Sequence, residues 1–264
     1  MTSRWLMPRR GAEVRPEGSE GPGSVVGSTR ATAILDVEHP IVAALVERVR
    51  REAGPEGGAR AALRLAHGII AREVRPVYSV EDRHPASRTL RLGRGSCSQR
   101  MAVLESVARA LEVPTRVRGL LVDGSFWYPR FPRLKPLVPE HVLLAWPEFL
   151  LDGEWVPIAE LFGSLSELRA SGGAEFTNRG GETLFDAVSR TAVDWGGNGN
   201  GAGTCDSTGT ACDLSAHVVL ELGRFDSRDE LFARHGQTLC WTARHISEPV
   251  LGRWSAGART TSRA

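Results

Sequence analysis

The feature that most restricts this chain is a dipeptide, Asp152-Gly153, set between two apolar runs, HVLLAWPEFLL (141–151) and EWVPIAEL (154–161). Asp-Gly suits a two-residue hairpin turn, whose central positions both need positive φ. Strands joined by so short a turn run antiparallel, because a parallel pair needs a crossover of a dozen or more residues. A doubly wound parallel sheet is therefore excluded around this hairpin. A third strand-like run, TRVRGLLV (115–122), precedes it, separated by an aromatic and proline-rich stretch, FWYPRFPRLKPLVP (126–139).

Helical spacing dominates before residue 115. Pro40 suits a first helical turn, and Val42, Leu45, Val46 and Val49 predict a helix to about residue 52. Gly54, Pro55, Gly57 and Gly58 break the chain; Ala62, Leu65, Ala66 and Ile69 then line a second helix that Pro76 stops. His67 falls inside it, as a packed or surface histidine. A loop, VYSVEDRHPASRTLRLGRGS (77–96), leads to a third helix with Leu104, Val107, Ala108 and Leu111 on its apolar stripe. Glu105 and Arg109 stand one turn apart there, and Pro114 follows its end. The expected fold class is α+β, with N-terminal helices packed on an antiparallel sheet.

Composition sets the limits of this body. Residues 8–30 combine Pro, Gly, Ser and charge with almost no large apolar side chains, so a disordered tail is expected over 1–33 and a core over 34–165. Residues 166–264 read as a C-terminal extension holding a Gly-rich loop at 196–211, a helix-compatible stretch from Glu182 to Asp194, and a short helix capped by Ser227 and Glu230 that ends near Gly236. Thirty-three Lys and Arg, dispersed and nearly all arginine, against 31 Asp and Glu give a formal charge of +2, which offers no argument for nucleic acid. Arg9 and Arg10 are not followed by an apolar run of signal-peptide length, and no stretch is apolar enough to span a bilayer, so a cytoplasmic protein without a membrane partner is expected. No phosphate-binding glycine motif stands in its strand and helix context, and no cofactor is expected.

Four cysteines, at 97, 205, 212 and 240, are too few and too far apart for a disulfide scaffold. Cys205 and Cys212, with Asp206, Asp213 and His217, lack a Cys-x-x-Cys pair, so no metal is expected. Cys97 has the most telling context. A helix N-terminus stabilises a thiolate through its unpaired N–H groups and dipole. Gly93 and Gly95 allow a tight backbone approach, and Arg94 and Arg100 add positive charge. On these local features a nucleophile and a small buried cysteine fit equally well.

A longer pattern distinguishes them. The run ASRTLRLGRGSCSQRMAVLESVARALEVPTRVRG (86–119) resembles the nucleophile segment of the transglutaminase-like superfamily: a Gly-x-Cys at a helix start, an alanine-rich helix, and an R-A-L-G-I-P-A-R exit into a strand, here RALEVPTR. LAWPEFLLDGEWVPIAE (144–160) is similar to that family's hairpin, H-A-W-x-E-x-x-x-D-G-x-W-x-x-x-D. With the two lead-in helices, the resemblance spans residues 39–165 and implies a transglutaminase-like, papain-like core with Cys97 as nucleophile.

Two family positions are changed. The histidine position falls on Leu144 and the aspartate position on Ala159, neither able to move a proton. His141 and Glu160 lie close by. His141 is three residues from position 144 and so faces the other way in a regular strand; a β-bulge would restore the face, and Pro147 argues against a regular ladder. His84, in the loop before Cys97, is the competing base.

The implied chemistry is acyl transfer through a thioester. Cys97 attacks a carbonyl of a peptide or small amide, His141 moves the proton, Glu160 orients the imidazole, and backbone N–H groups at the helix start hold the oxyanion. An indole, Trp127 or Trp146, would assist or simply pack in the core. The segment RFPRLK (130–135) reads as a solvated loop or a grip for an acidic substrate. The alternative function is an inactive transglutaminase-like binding module, which Leu144 and Ala159 support.

Overall fold

The computed structural model describes residues 25–163, 167, 176, 178, 182–190 and 214–256. Residues 1–24, the Gly-rich loop at 196–211 and, of the Cys205/Cys212 set, every member but His217 lie outside the described residues.

Helix α1 (Pro40–Ala53) starts at proline behind an N-cap, His39, whose Nδ1 accepts the Ile41 N–H, and it buries Val42, Leu45, Val46 and Val49 as their spacing predicts. Helix α2 (Ala59–Glu73) buries Ala62, Ala66 and Ile69 of the expected stripe together with Leu63 and Ile70, while Leu65 is half-buried at the edge of the core. His67 is buried with them, stacked on Phe185, whose carbonyl lies 2.5 Å from its Nε2. The segment 77–96 is not all loop. It contains helix α3 (Ala86–Leu92), opened by Pro85 and closed by Gly93 at φ 57°. Seven residues are too few for a periodic stripe to stand out. Flanking α3, β1 (Arg75–Pro76) and β2 (Arg94–Gly95) pair in parallel and hold the ends of the segment together.

Helix α4 (Cys97–Ala110) is buried around nearly its whole circumference, from Ser98 through Arg109. The helix therefore lies between layers, and Glu105 and Arg109, one turn apart, each take long-range partners as well. Glu105 meets Arg228 at 2.5 Å, and Arg109 bonds Thr115 Oγ1 at 2.7 Å, the Arg30 carbonyl at 2.7 Å and the Asp226 carbonyl at 2.5 Å.

The main sheet is antiparallel. Strands β3 (Thr115–Asp123), β4 (His141–Leu151), β5 (Glu154–Pro157) and β6 (Val218–Phe225) lie in the order β5-β4-β3-β6. Asp152 at φ 54° and Gly153 at φ 85° make the expected turn. β4 runs unbroken through Pro147, which pairs with Val117. β5 reaches only as far as Glu148, so the outer side of β4 is open at the proline and no ladder is interrupted there. Leu120, Val122, Leu144 and Trp146 pack with α1, α2 and α4; Val117, Leu143, Ala145 and Phe225 pack with Ile34, Leu35, Leu231 and Phe232.

The expected boundaries at 33 and 165 do not separate appendages from the core. Ser28 bridges to Thr115, and Asp229 accepts the Thr32 hydroxyl at 2.6 Å and the Ile34 N–H at 3.1 Å. The C-terminal part supplies β6 and the helices α5 (Leu184–Ala187), α6 (Arg228–His235) and α7 (Trp241–Leu251). As the sequence predicts, α6 is capped by Ser227, which accepts the Glu230 N–H, and ends at Gly236. Backbone pairing and side-chain anchors hold these segments, and composition does not register either. Among the described residues no helix is long and apolar enough to cross a membrane.

Candidate functional site

Cys97 is the first residue of α4, and the preceding backbone is tightly held. Ser96 Oγ accepts the Gln99 N–H at 3.3 Å, and Gln99 Oε1 accepts the Ser96 N–H at 3.0 Å, a reciprocal capping box. Gly95 makes it fit, since a Cβ there would fall 2.7 Å from Thr89 Cγ2 and 3.1 Å from Gln99 Oε1. The Gln99 amide also donates to Ser79 Oγ and to the Glu81 carbonyl, both at 2.7 Å, drawing the preceding loop over the helix start. Asp82 is thereby set beside Cys97. Its N–H donates to Gln237 Oε1 at 2.8 Å.

Cys97, Ser98 and Asp82 line one cleft of about 540 Å³. Most of its wall is apolar. β4 contributes Leu143 and Leu144, the proline-rich stretch contributes Trp127 and Leu137, and α7 and the residues after it contribute Val250 and Trp254. At the rim Ile246 is 77% and Val250 66% exposed. Arg130 reaches the cleft from the segment read as a solvated loop or acidic grip; its guanidinium donates to Asn178 Oδ1 at 2.6 Å and to the Ala256 carbonyl at 2.8 Å. A larger depression, about 680 Å³, lies beside α1 and α2 and holds no nucleophilic side chain.

The electrostatics of Cys97 differ from the sequence expectation. Its thiol is pushed above the usual range, first by burial and then by the negative charge of Asp82; Arg130, Arg100 and a bond from the Ser98 N–H only partly offset this. The helix start does contribute, but desolvation outweighs it. The cysteine is therefore a neutral thiol at rest. Burial also acts on Asp82, raising its carboxyl from 3.8 to about 6 against the pull of the Ser98 hydrogen bond and Arg228.

The proton-transfer groups expected from the resemblance do not meet Cys97 in this cleft. The β3–β4 ladder runs without a shift from Thr115↔Phe149 to Asp123↔His141, so no bulge brings His141 to the face of Leu144. His141 opens β4 opposite Asp123, whose carboxyl, despite burial acting the other way, is held below the ordinary range first by hydrogen bonds from Ser125 and then by His217 and His141. Leu144 occupies the cleft wall. Glu160 is exposed, its carbonyl accepting from Arg60, and Ala159 is buried in the core. His84 lines a separate depression with Arg88 and Glu248, its Nδ1 3.2 Å from the Gln99 amide. Of the two indoles, Trp127 lines the cleft and Trp146 is fully buried.

Asp82 escaped the sequence reading. Nothing in the local string marks it, although Ser96 and Gln99 form a capping-box spacing that announces the helix start. Among the described residues there is no cluster of His, Cys, Asp and Glu able to hold a metal ion.

Residues 43–159 match the family model of the transglutaminase-like superfamily, a span that contains Cys97 and both strands of the hairpin. No curated protein matches the chain. A solved structure from Cytophaga hutchinsonii, described as a candidate cysteine protease, aligns at 16% identity with a TM-score of 0.36, over 49% of this chain and 39% of that one. The chain thus spans well under half the length of that protein.

Proposed function

We propose that this protein is a cysteine-dependent acyl-transfer enzyme of transglutaminase-like kind. Cys97 takes the acyl group of a peptide or small amide as a thioester and passes it to water or to an amine. The placement of Cys97 carries this reading: it begins a buried helix at a cleft whose walls are apolar. Backbone N–H groups at a helix start lack intrahelical acceptors, and that of Ser98 already reaches the Cys97 sulfur. An oxyanion forming next to the sulfur meets donors of this kind. The apolar walls favour a donor whose acyl part carries an aliphatic or aromatic side chain.

Leu144 in the wall, and a thiol pushed up instead of down, favour a second reading, in which the cleft binds an apolar ligand without turning it over. An activated acyl donor separates the two. Incubation with p-nitrophenyl butyrate is expected to release a burst of p-nitrophenol and leave one butyryl group on Cys97 in the peptide map. Equal labelling of Cys97, Cys205, Cys212 and Cys240, with no burst, would favour the binding reading.

A further inference from the structure

A neutral thiol needs a base at the moment of attack, as a serine hydroxyl does. Among the described residues that line the cleft none is a histidine, but one is a carboxylate, Asp82. It shares the cleft with Cys97, and the two are close enough for the charge of Asp82 to be the second largest influence on the thiol, after burial. Two hydrogen bonds fix its place, from the Gln99 amide to the Glu81 carbonyl and from the Asp82 N–H to Gln237 Oε1, and Ser98 lines the cleft with it. The charged and titratable groups around it are Cys97 on α4, Arg228 on α6, Arg244 on α7 and the adjacent Glu81. Two of these are already engaged. Arg228 is spent on Glu105 and Ser98, and Arg244 lies 3.3 Å from Glu81.

We propose that the Asp82 carboxylate is the general base and acid for Cys97, doing in this cleft the work for which no histidine is in place. This rests on the acyl-transfer reading above. As the Cys97 sulfur bonds to the acyl carbon, the S–H proton passes to Asp82. When the bond from carbon to the leaving oxygen or nitrogen breaks, Asp82 returns that proton to the leaving group. Water or an amine then attacks the thioester, Asp82 takes its proton, and the departing sulfur recovers it. Burial gives the carboxyl an acidity close to that of an ordinary imidazole, which suits a base acting near neutral pH.

Two readouts on full-length protein test this: the burst with p-nitrophenyl acetate, followed from pH 4 to 9, and alkylation by iodoacetamide over the same range. In the unaltered protein the burst rate is expected to rise through a step near pH 6. Asp82→Asn should lose that step and slow the burst about 100-fold at pH 7, while alkylation becomes faster because a negative charge next to the thiol is gone. An unchanged burst profile in Asp82→Asn would overturn the assignment. So would an equal loss in both readouts, which would make Asp82 a structural support. If the unaltered protein gives no burst and no adduct on Cys97, the acyl-transfer reading itself falls, and this assignment with it.

Discussion

Two acids stand along helix α4 a little over two turns apart, Glu105 fully buried and Asp82 half-buried beside Cys97, and they differ in what the acid meets. Glu105 and Arg228 are both fully buried and 2.5 Å apart, so the carboxylate has its own cation. Asp82, at the helix start, shares its cleft with the Cys97 thiol and Ser98; the charge of Arg228, whose Nη1 donates to Ser98 Oγ at 3.0 Å, acts on it as well. A buried acid with a dedicated partner serves as structure. Burial raises both carboxyls, but Glu105 is closed off against its cation, whereas Asp82, raised to about 6, opens on the cleft and remains available to a substrate.

The largest effect separates the two sites by chemistry. Cys97→Ala should lower acyl transfer by at least about 10³-fold, as loss of a nucleophile does, with little change in the unfolding midpoint. Cys240→Ala, at the other described free thiol, should leave the burst intact.

Next comes the paired site. Arg228→Ala should cost about 3–5 kcal/mol in urea unfolding, because it strands Glu105 in the core. The double replacement of Glu105→Leu with Arg228→Met should recover most of that loss. If Arg228→Ala is as stable as the parent, the contrast between the two sites is broken.

The acid in the cleft has the opposite sign. The Asp82 carboxyl titrates near 6 when folded and near 3.8 ordinarily, so its protonated form favours the fold. That stability is present below about pH 4 and is lost as pH rises through 6. Asp82→Asn should therefore be more stable than the parent at pH 8, by about 2 kcal/mol once solvent access through the cleft is allowed for, and equal to it at pH 4. His67 acts in reverse, because burial lowers it from 6.5 to about 4. Its contribution is present above pH 6.5 and lost as pH falls through 4, so His67→Gln should remove about 3 kcal/mol of acid sensitivity. In the unaltered protein the two trends largely cancel between pH 4 and 6.5. Denaturant midpoints across that range, measured on both variants, check the signs.

The smallest effect is the sharpest test of position. His141→Ala and Glu160→Ala should each leave the burst within about twofold, in line with surface substitutions away from a site. A loss of orders of magnitude in His141→Ala would mean that the imidazole does reach Cys97, and would remove the need for Asp82.

Much of this was legible in the residues. The Asp152-Gly153 turn, the α1 and α2 stripes, the strand at 115–122 and the helix start at Cys97 all follow from neighbours within a few positions, and the structure has each of them. α3 was hidden because it is short. The tail and extension boundaries misled because Ser28, Asp229 and β6 are held by partners far away in the chain. Family spacing led from Leu144 to His141, the nearest histidine in sequence, yet alternation along an unbroken strand puts the two on opposite faces.

By itself, then, the sequence determined the antiparallel hairpin, the order of the elements and the nucleophile's place at a helix start, because turn chemistry, side-chain periodicity and capping act locally. Only the tertiary structure decided which acid stands beside that nucleophile and whether each is charged. Asp82 reaches Cys97 through Gln99 and Gln237, and its acidity depends on burial and on a guanidinium 146 residues further along the chain, at Arg228. Desolvation belongs to the assembled interior, and no string of neighbouring residues carries it.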